Sequence, residues 1–207
     1  MSVSPAAPAP SRRAQQIKLL LLAFLFFGPL ALAFLMYYGG IGYRAGGNTA
    51  HGRLFDPVRP LPAATLTALD GADLGSDVLR GKWLYVVLGS GSCNESCLTR
   101  LHDTRQARLL LGKDATRVRR VYLTAGGEPD PALCGSDTDL VCARPGGDSG
   151  RALLSTFDAA EGREALNAGA VYLVDPHGNL VLGYGPTDLT RSLLEDTKRL
   201  LKYSHIG

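Results

Sequence analysis

Apolar and polar positions along the chain fall into two regimes, one continuous and one periodic. From Leu19 to Tyr38 the stretch "LLLLAFLFFGPLALAFLMYY" carries no charge over twenty residues and is almost wholly apolar. At ~1.5 Å per helical residue that length matches the ~30 Å hydrocarbon core of a bilayer, so the pattern predicts one transmembrane helix. Gly28 and Pro29 are tolerated in such a helix, and Tyr37 and Tyr38 suit an interfacial aromatic belt. A cleaved signal peptide is the competing reading, because "ALA" at 31–33 follows a basic flank. A secretory apolar core usually runs only about 7–15 residues, which favours the anchor.

Beyond the span the periodicity becomes that of a folded α/β domain. "WLYVVLG", Trp83 to Gly89, is a continuous apolar run and predicts a central strand buried on both faces. "CLTRLHDTRQARLLLG" spaces Leu101, Ala107, Leu110 and Leu111 as an amphipathic helix, with Gly112 as its stop. "RVRRVYLTA" alternates Val118, Val121 and Leu123 with charge and predicts a second main strand. The segment from Gly126 to Gly150 looks like loop throughout, and "RALLSTFDAAEG" suggests a short helix. "GAVYLVD" and "LVLGYG" flank the turn residues "PHGN" as a hairpin, and "PTDLTRSLLEDTKRLLKYS" is a terminal amphipathic helix. The order strand, helix, strand, helix, hairpin, helix predicts a thioredoxin-like α/β fold, a central mixed sheet flanked by helices. The expected organisation is a tail over 1–18, the span over 19–38, a Gly/Pro-rich tether over 39–61 and the domain over 62–204.

Charge refines this division. The net charge of +3 belongs entirely to Arg12, Arg13 and Lys18, because residues 1–18 hold no acid and residues 39–207 balance. No electrostatic footprint for nucleic acid remains. Three cations before the span against Arg44 shortly after it place the N-terminus in the cytoplasm and the domain outside. In a bacterium that is a single-pass inner-membrane protein with a periplasmic domain, where thiols form lasting disulfides.

The candidate chemistry lies in "GSGSCNESCL", directly after the buried strand, where Cys93 and Cys97 stand one helical turn apart. Two such cysteines can ligate a soft metal, form a reversible redox pair or form an inert disulfide, and the spacing alone leaves all three open. A helix beginning at the pair would favour a thiolate through its unpaired N–H groups and dipole. Cys134 and Cys142 enclose the polar loop "GSDTDLV", for which a structural staple is the default and exchange with the first pair the alternative.

In sequence order, "LRGKWLYVVLGSGSCNESCLTRLHDTRQ", "RVRRVYLT" and "YLVDPHGNLVLGYGPTDLTRSLLEDTKRLLK" behind one anchor resemble the Sco/SenC/PrrC family of cytochrome c oxidase assembly proteins. The resemblance covers most of Leu79 to Lys202, and the lead-in "NTAHGRLFDPVRPLP" resembles that of proteobacterial members. It implies a thioredoxin fold, and either Cu(I) delivery to the binuclear copper centre of oxidase subunit II or reduction of that subunit's cysteines. Cys93 is then the exposed nucleophile or first ligand, and Cys97 the resolving thiol or second ligand. Oxidase subunit II or other assembly factors are the implied partners.

The chain departs from this family where the third copper ligand should be. Members place a histidine five residues before the Tyr of "YLVDP", and here that position is Asn167, an amide that a soft ion disfavours. The prolines that follow the family's cysteines are replaced by Asn94 and Leu98. His177 in the turn, His102 on the helix, His51 in the lead-in and His205 in the tail are weak substitutes. A general exported thiol-disulfide oxidoreductase is the alternative, although Ala170 stands where thioredoxins keep a proline before this strand. A non-catalytic assembly scaffold is the third.

Overall fold

Burial of every residue from Trp83 to Gly89 dictates the layering of the domain. The computed structural model of the chain describes residues 12–38, 50–68, 70–90, 93–125, 131–135, 137–161, 166, 170–204 and 206. The chain divides into two units, Met1–Gly47 and Asn48–Gly207. In the first, α1 (Arg12–Tyr38) is one helix with Pro29 inside it. Its stretch Gln15–Met36 is long and apolar enough to cross a membrane.

The second unit is a seven-stranded mixed sheet with helices on both faces. Its strands are β1 (Arg53–Pro60), β2 (Leu66–Thr67), β3 (Trp83–Gly89), β4 (Val118–Thr124), β5 (Leu140–Pro145), β6 (Val171–Val174) and β7 (Asn179–Tyr184). They lie in the order β1-β7-β6-β3-β4-β5-β2. β3, β4 and β5 run parallel, whereas β6 and β7 form the expected antiparallel hairpin beside β3. The helices after α1 are α2 (Glu95–Leu109), α3 (Pro131–Gly135), α4 (Gly147–Glu161) and α5 (Leu189–Tyr203).

Alternation along β3 divides the core in two. Leu84, Val86 and Leu88 pack with Leu153 and Phe157 of α4 on one face. Trp83, Tyr85 and Val87 pack with Leu101 of α2 and Leu193 of α5 on the other. A strand covered on both sides has no solvent face to encode, which is why its sequence is continuously apolar. The Phe157 and Tyr172 rings meet at 5.0 Å, a tilted pair that fixes α4 on the sheet. The hairpin turn is held by Asp175, whose carboxylate accepts the N–H groups of His177 and Asn179 at 2.9 and 2.8 Å.

Two segments differ from the sequence reading. Arg53–Pro60, within the expected tether, is an edge strand on β7, and Phe55 and Leu61 sit in the core. Pro57 and Pro60 obscured it, yet an edge strand tolerates residues that cannot donate to a ladder. The expected loop between Gly126 and Gly150 contains α3 and β5, the latter a parallel neighbour of β4 that buries Leu140, Cys142 and Ala143. Its apolar run is too short, and too closely bracketed by Asp, Arg and Gly, to stand out as a period.

Candidate functional site

Cys93 and Cys97 lie at the carboxyl end of β3, where parallel strands of α/β sheets present ligands. Asn94 caps α2: its side-chain oxygen accepts the Cys97 N–H at 2.9 Å, and its carbonyl accepts the Leu98 N–H at 2.9 Å. Cys93 therefore precedes the cap, and Cys97 occupies the first turn, where the helix dipole favours an anion. The two cysteines are joined as a disulfide across a Cα separation of 5.3 Å. Cys97 is 3% exposed and Cys93 half-buried, so an incoming group meets the Cys93 sulfur first.

Beside the disulfide is a pocket of ≈170 Å³ lined by Leu88, Gly89, Ser90 and Leu166, and by Asn94, Cys97 and Arg100 of the α2 segment. Gly89 is required here, because a Cβ would collide with the Tyr122 hydroxyl. Arg100, three residues beyond Cys97, is only 8% exposed. Its Nη1 donates to Ser96 Oγ at 2.7 Å, while its Nε has no hydrogen-bond partner among the described residues. Burial lowers the guanidinium pKa, opposed by Tyr122 and Tyr172. No sequence period announced this residue, since an arginine among polar helix positions resembles a solvated face.

The other candidates lie elsewhere or fall outside the described residues. Asn167, at the position of the family's histidine, and His205 lie outside them. His102 is exposed, with its Nε2 3.4 Å from Gln106. His177 is exposed in the hairpin turn. His51 is held on α5: its Nε2 is 2.7 Å from Glu195 Oε2, and its N–H donates to Asp196. Among the described residues no three His, Cys, Asp or Glu side chains group as a metal site. Copper would therefore find two soft thiolates, once reduced, and no described third ligand. Cys134 and Cys142 form a second disulfide, Cα to Cα 6.0 Å, that ties α3 to β5. Cys142 lies opposite Tyr122 in the sheet register.

The family model described as transmembrane-like, thioredoxin-like, C-terminal domain matches residues 83–204, from β3 through α5. A search of curated proteins finds no match. Among solved structures, copper-bound yeast Sco1 superposes with a TM-score of 0.55 at 14% identity, covering 70% of this chain and 94% of that one. Copper-bound ScoI of Bradyrhizobium japonicum gives 0.51 at 17% identity, covering 68% and 98%. BsSco, a member of the Sco family of cytochrome c oxidase assembly proteins in which a disulfide switch was identified, gives 0.53 at 14%, covering 73% and 99%. These identities establish a common fold. The strand, capped helix and hairpin that frame the Cys93–Cys97 disulfide are thus the body of the matched domain, and the chain belongs to the transmembrane-like, thioredoxin-like C-terminal domain family.

Proposed function

We propose that this chain is a membrane-anchored assembly factor for cytochrome c oxidase that acts on the copper centre of subunit II through Cys93 and Cys97. The observation that carries the reading is the disulfide between a half-buried Cys93 and a buried Cys97 at the capped start of α2. In the reduced protein Cys93 attacks a disulfide of the client and forms a mixed disulfide. Cys97 then attacks Cys93, the client leaves as its dithiol, and the protein holds the Cys93–Cys97 bond. Two electrons pass to the client in each cycle. Likeness in fold to Sco proteins, including the disulfide switch of BsSco, supports the assignment.

Copper delivery is the second reading, favoured by the copper-bound yeast and Bradyrhizobium proteins of the same fold. Cu(I) is then cargo on the two reduced thiolates, not a resident cofactor. On either reading α1 anchors the chain with residues 1–18 in the cytoplasm and the domain in the periplasm, a compartment in which disulfides can form.

The test is an anaerobic Cu(I) titration of the reduced full chain in detergent against a competing chelator, beside oxidase activity in cells carrying Cys93→Ser. The expected result is weak copper binding that Asn167→His strengthens, with oxidase activity lost in Cys93→Ser. Tight one-to-one binding that Cys93→Ser abolishes would favour copper delivery. Full oxidase activity in Cys93→Ser would overturn both.

A further inference from the structure

Arg100 has no carboxylate facing it among the described residues, although only 8% of its surface is exposed. Arg120, also buried, reaches Asp137 at 3.0 Å and Asp139 at 3.5 Å. Among the described residues Arg100 has only the Ser96 hydroxyl as a hydrogen-bond partner, and its Nε has none. A buried cation without a counterion is costly unless an anion joins it. The space for one is present, because Arg100, Asn94 and Cys97 line the same pocket, whose described lining holds no Asp or Glu. The pocket opens at the first turn of a fifteen-residue helix, whose dipole adds to the attraction for negative charge.

We infer that this pocket is a carboxylate subsite that seats the thiol reductant of the Cys93–Cys97 disulfide, with the Arg100 guanidinium as its cation. The inference deepens the thiol-exchange reading above and rests on it. The ligand class is a thiol carrying a carboxylate within a few bonds of its sulfur, either a small mercapto acid or a cysteine beside an acidic residue in a partner protein. Its thiolate attacks the Cys93 sulfur. The Cys93–Cys97 bond breaks, Cys97 leaves as a thiolate, and a second thiolate of the same class displaces Cys93. Two electrons enter the protein and the reductant departs as its own disulfide.

The full chain in detergent is opened with 3-mercaptopropionate, 2-mercaptoethanol and cysteamine, each rate expressed per thiolate and followed by trapping of free thiols. The acidic thiol is expected to react about tenfold faster than the neutral one, the scale of one charge-assisted hydrogen bond. Arg100→Met removes the preference, and Lys198→Gln, which removes an exposed charge on α5, keeps it. Arg100→Met is expected to fold, because it deletes an uncompensated buried charge; Arg100→Lys, which keeps the charge without the fork, retains part of the preference. Hexapeptides with Cys-Asp or Cys-Asn separate the sources: a preference for Cys-Asp points to a partner protein, and equal rates point to a small mercapto acid. Equal rates for the three small thiols, or a preference that survives Arg100→Met, would overturn the subsite. A second arm needs no exchange: acetate titrated onto the oxidised protein shifts the Arg100 Nε–H resonance. If that shift occurs while no thiol opens the disulfide, the exchange function falls and the anion pocket stands; no shift overturns the pocket.

Discussion

The Asp196 carboxylate on α5 accepts the Tyr184 hydroxyl of β7 at 3.1 Å, and the same oxygen accepts the N–H groups of His51 and Gly52 at 2.8 and 3.0 Å. One acid, 2% exposed, thus fastens the chain entering β1, the hairpin and the last helix. Gly52 permits the approach, because a Cβ there would meet the Tyr184 ring at 2.7 Å. Asp196→Ala strands three donors and is expected to cost about 3–5 kcal/mol in denaturant unfolding, with earlier proteolysis ahead of β1. A loss below about 1 kcal/mol would show that the lead-in is held by other contacts.

Alkaline pH should weaken the same region. Burial raises the pKa of Tyr184, and its neighbour Asp196 raises it further; burial likewise raises Tyr85, although its hydrogen bond to Thr197 at 2.8 Å pulls the other way. In the unfolded chain both phenols ionise near 10, so above that pH the unfolded state binds fewer protons than the native one. Stability is therefore full below pH 10 and falls as pH rises above it, by up to about 1.4 kcal/mol per pH unit for each tyrosine. Unfolding curves collected from pH 8 to 11.5 check the slope. Absorbance at 295 nm should show Tyr85 and Tyr184 silent until the protein unfolds.

These groups also mark where sequence reasoning succeeded and where it stopped. The β3 run, the cysteines at its end and the β6–β7 hairpin were legible because burial on two faces and a turn carrying Asp, Pro and Gly each leave a local signature. His51 looked mobile because its anchors, Asp196 and Glu195, are 144 or more residues away and look like ordinary acids of an amphipathic helix. Arg120 looked like the charged face of β4, yet it is 1% exposed, because its partners come from the segment between α3 and β5. Arg100 escaped because a polar helix position carries no sign of the sheet residues, Leu88 and Gly89, that share its pocket. The alternation of a strand or helix reports which side is covered, whereas the fate of a buried charge depends on residues distant in sequence.

The second disulfide offers a separate check. Cys134 and Cys142 are eight residues apart, so closing their loop is worth about 2–3 kcal/mol if chain entropy dominates. The double variant Cys134→Ser/Cys142→Ser is expected to lose that stability while the Cys93–Cys97 bond opens with thiols at its original rate. A change in that rate of tenfold or more would make the second pair a participant in exchange instead of a staple.

At the pocket, Gly89→Ala is the smallest available perturbation. Its methyl group would meet the Tyr122 hydroxyl, which must shift within a packed sheet. The expected cost is about 1–3 kcal/mol, and because Gly89 and Arg100 line the same pocket the change should slow reaction of the disulfide with acidic thiols more than with neutral ones. A uniform change across thiols would mean that Gly89 supports only the strand.

The Arg120 network makes the sharpest energetic prediction. Its Nη2 donates to the Leu101 carbonyl at 2.8 Å, its Nε to Thr104 Oγ1 at 3.3 Å, and its Nη1 to Asp137 at 3.0 Å, so one buried guanidinium links α2, β4 and the approach to β5. Asp137 also pairs with Arg105 at 3.2 Å, and Asp139 with Arg108 at 3.3 Å. Removing both acids leaves Arg120 charged and buried, whereas Arg120→Met leaves carboxylates that retain Arg105 and Arg108. Asp137→Ala/Asp139→Ala should therefore cost about 3–5 kcal/mol, and Arg120→Met clearly less. Combining all three substitutions should recover part of the loss, because the stranded cation is gone. Urea unfolding of the four proteins gives the coupling energy directly. Additive losses would show that the guanidinium is satisfied by Leu101 and Thr104 alone, and that the two acids serve the surface arginines.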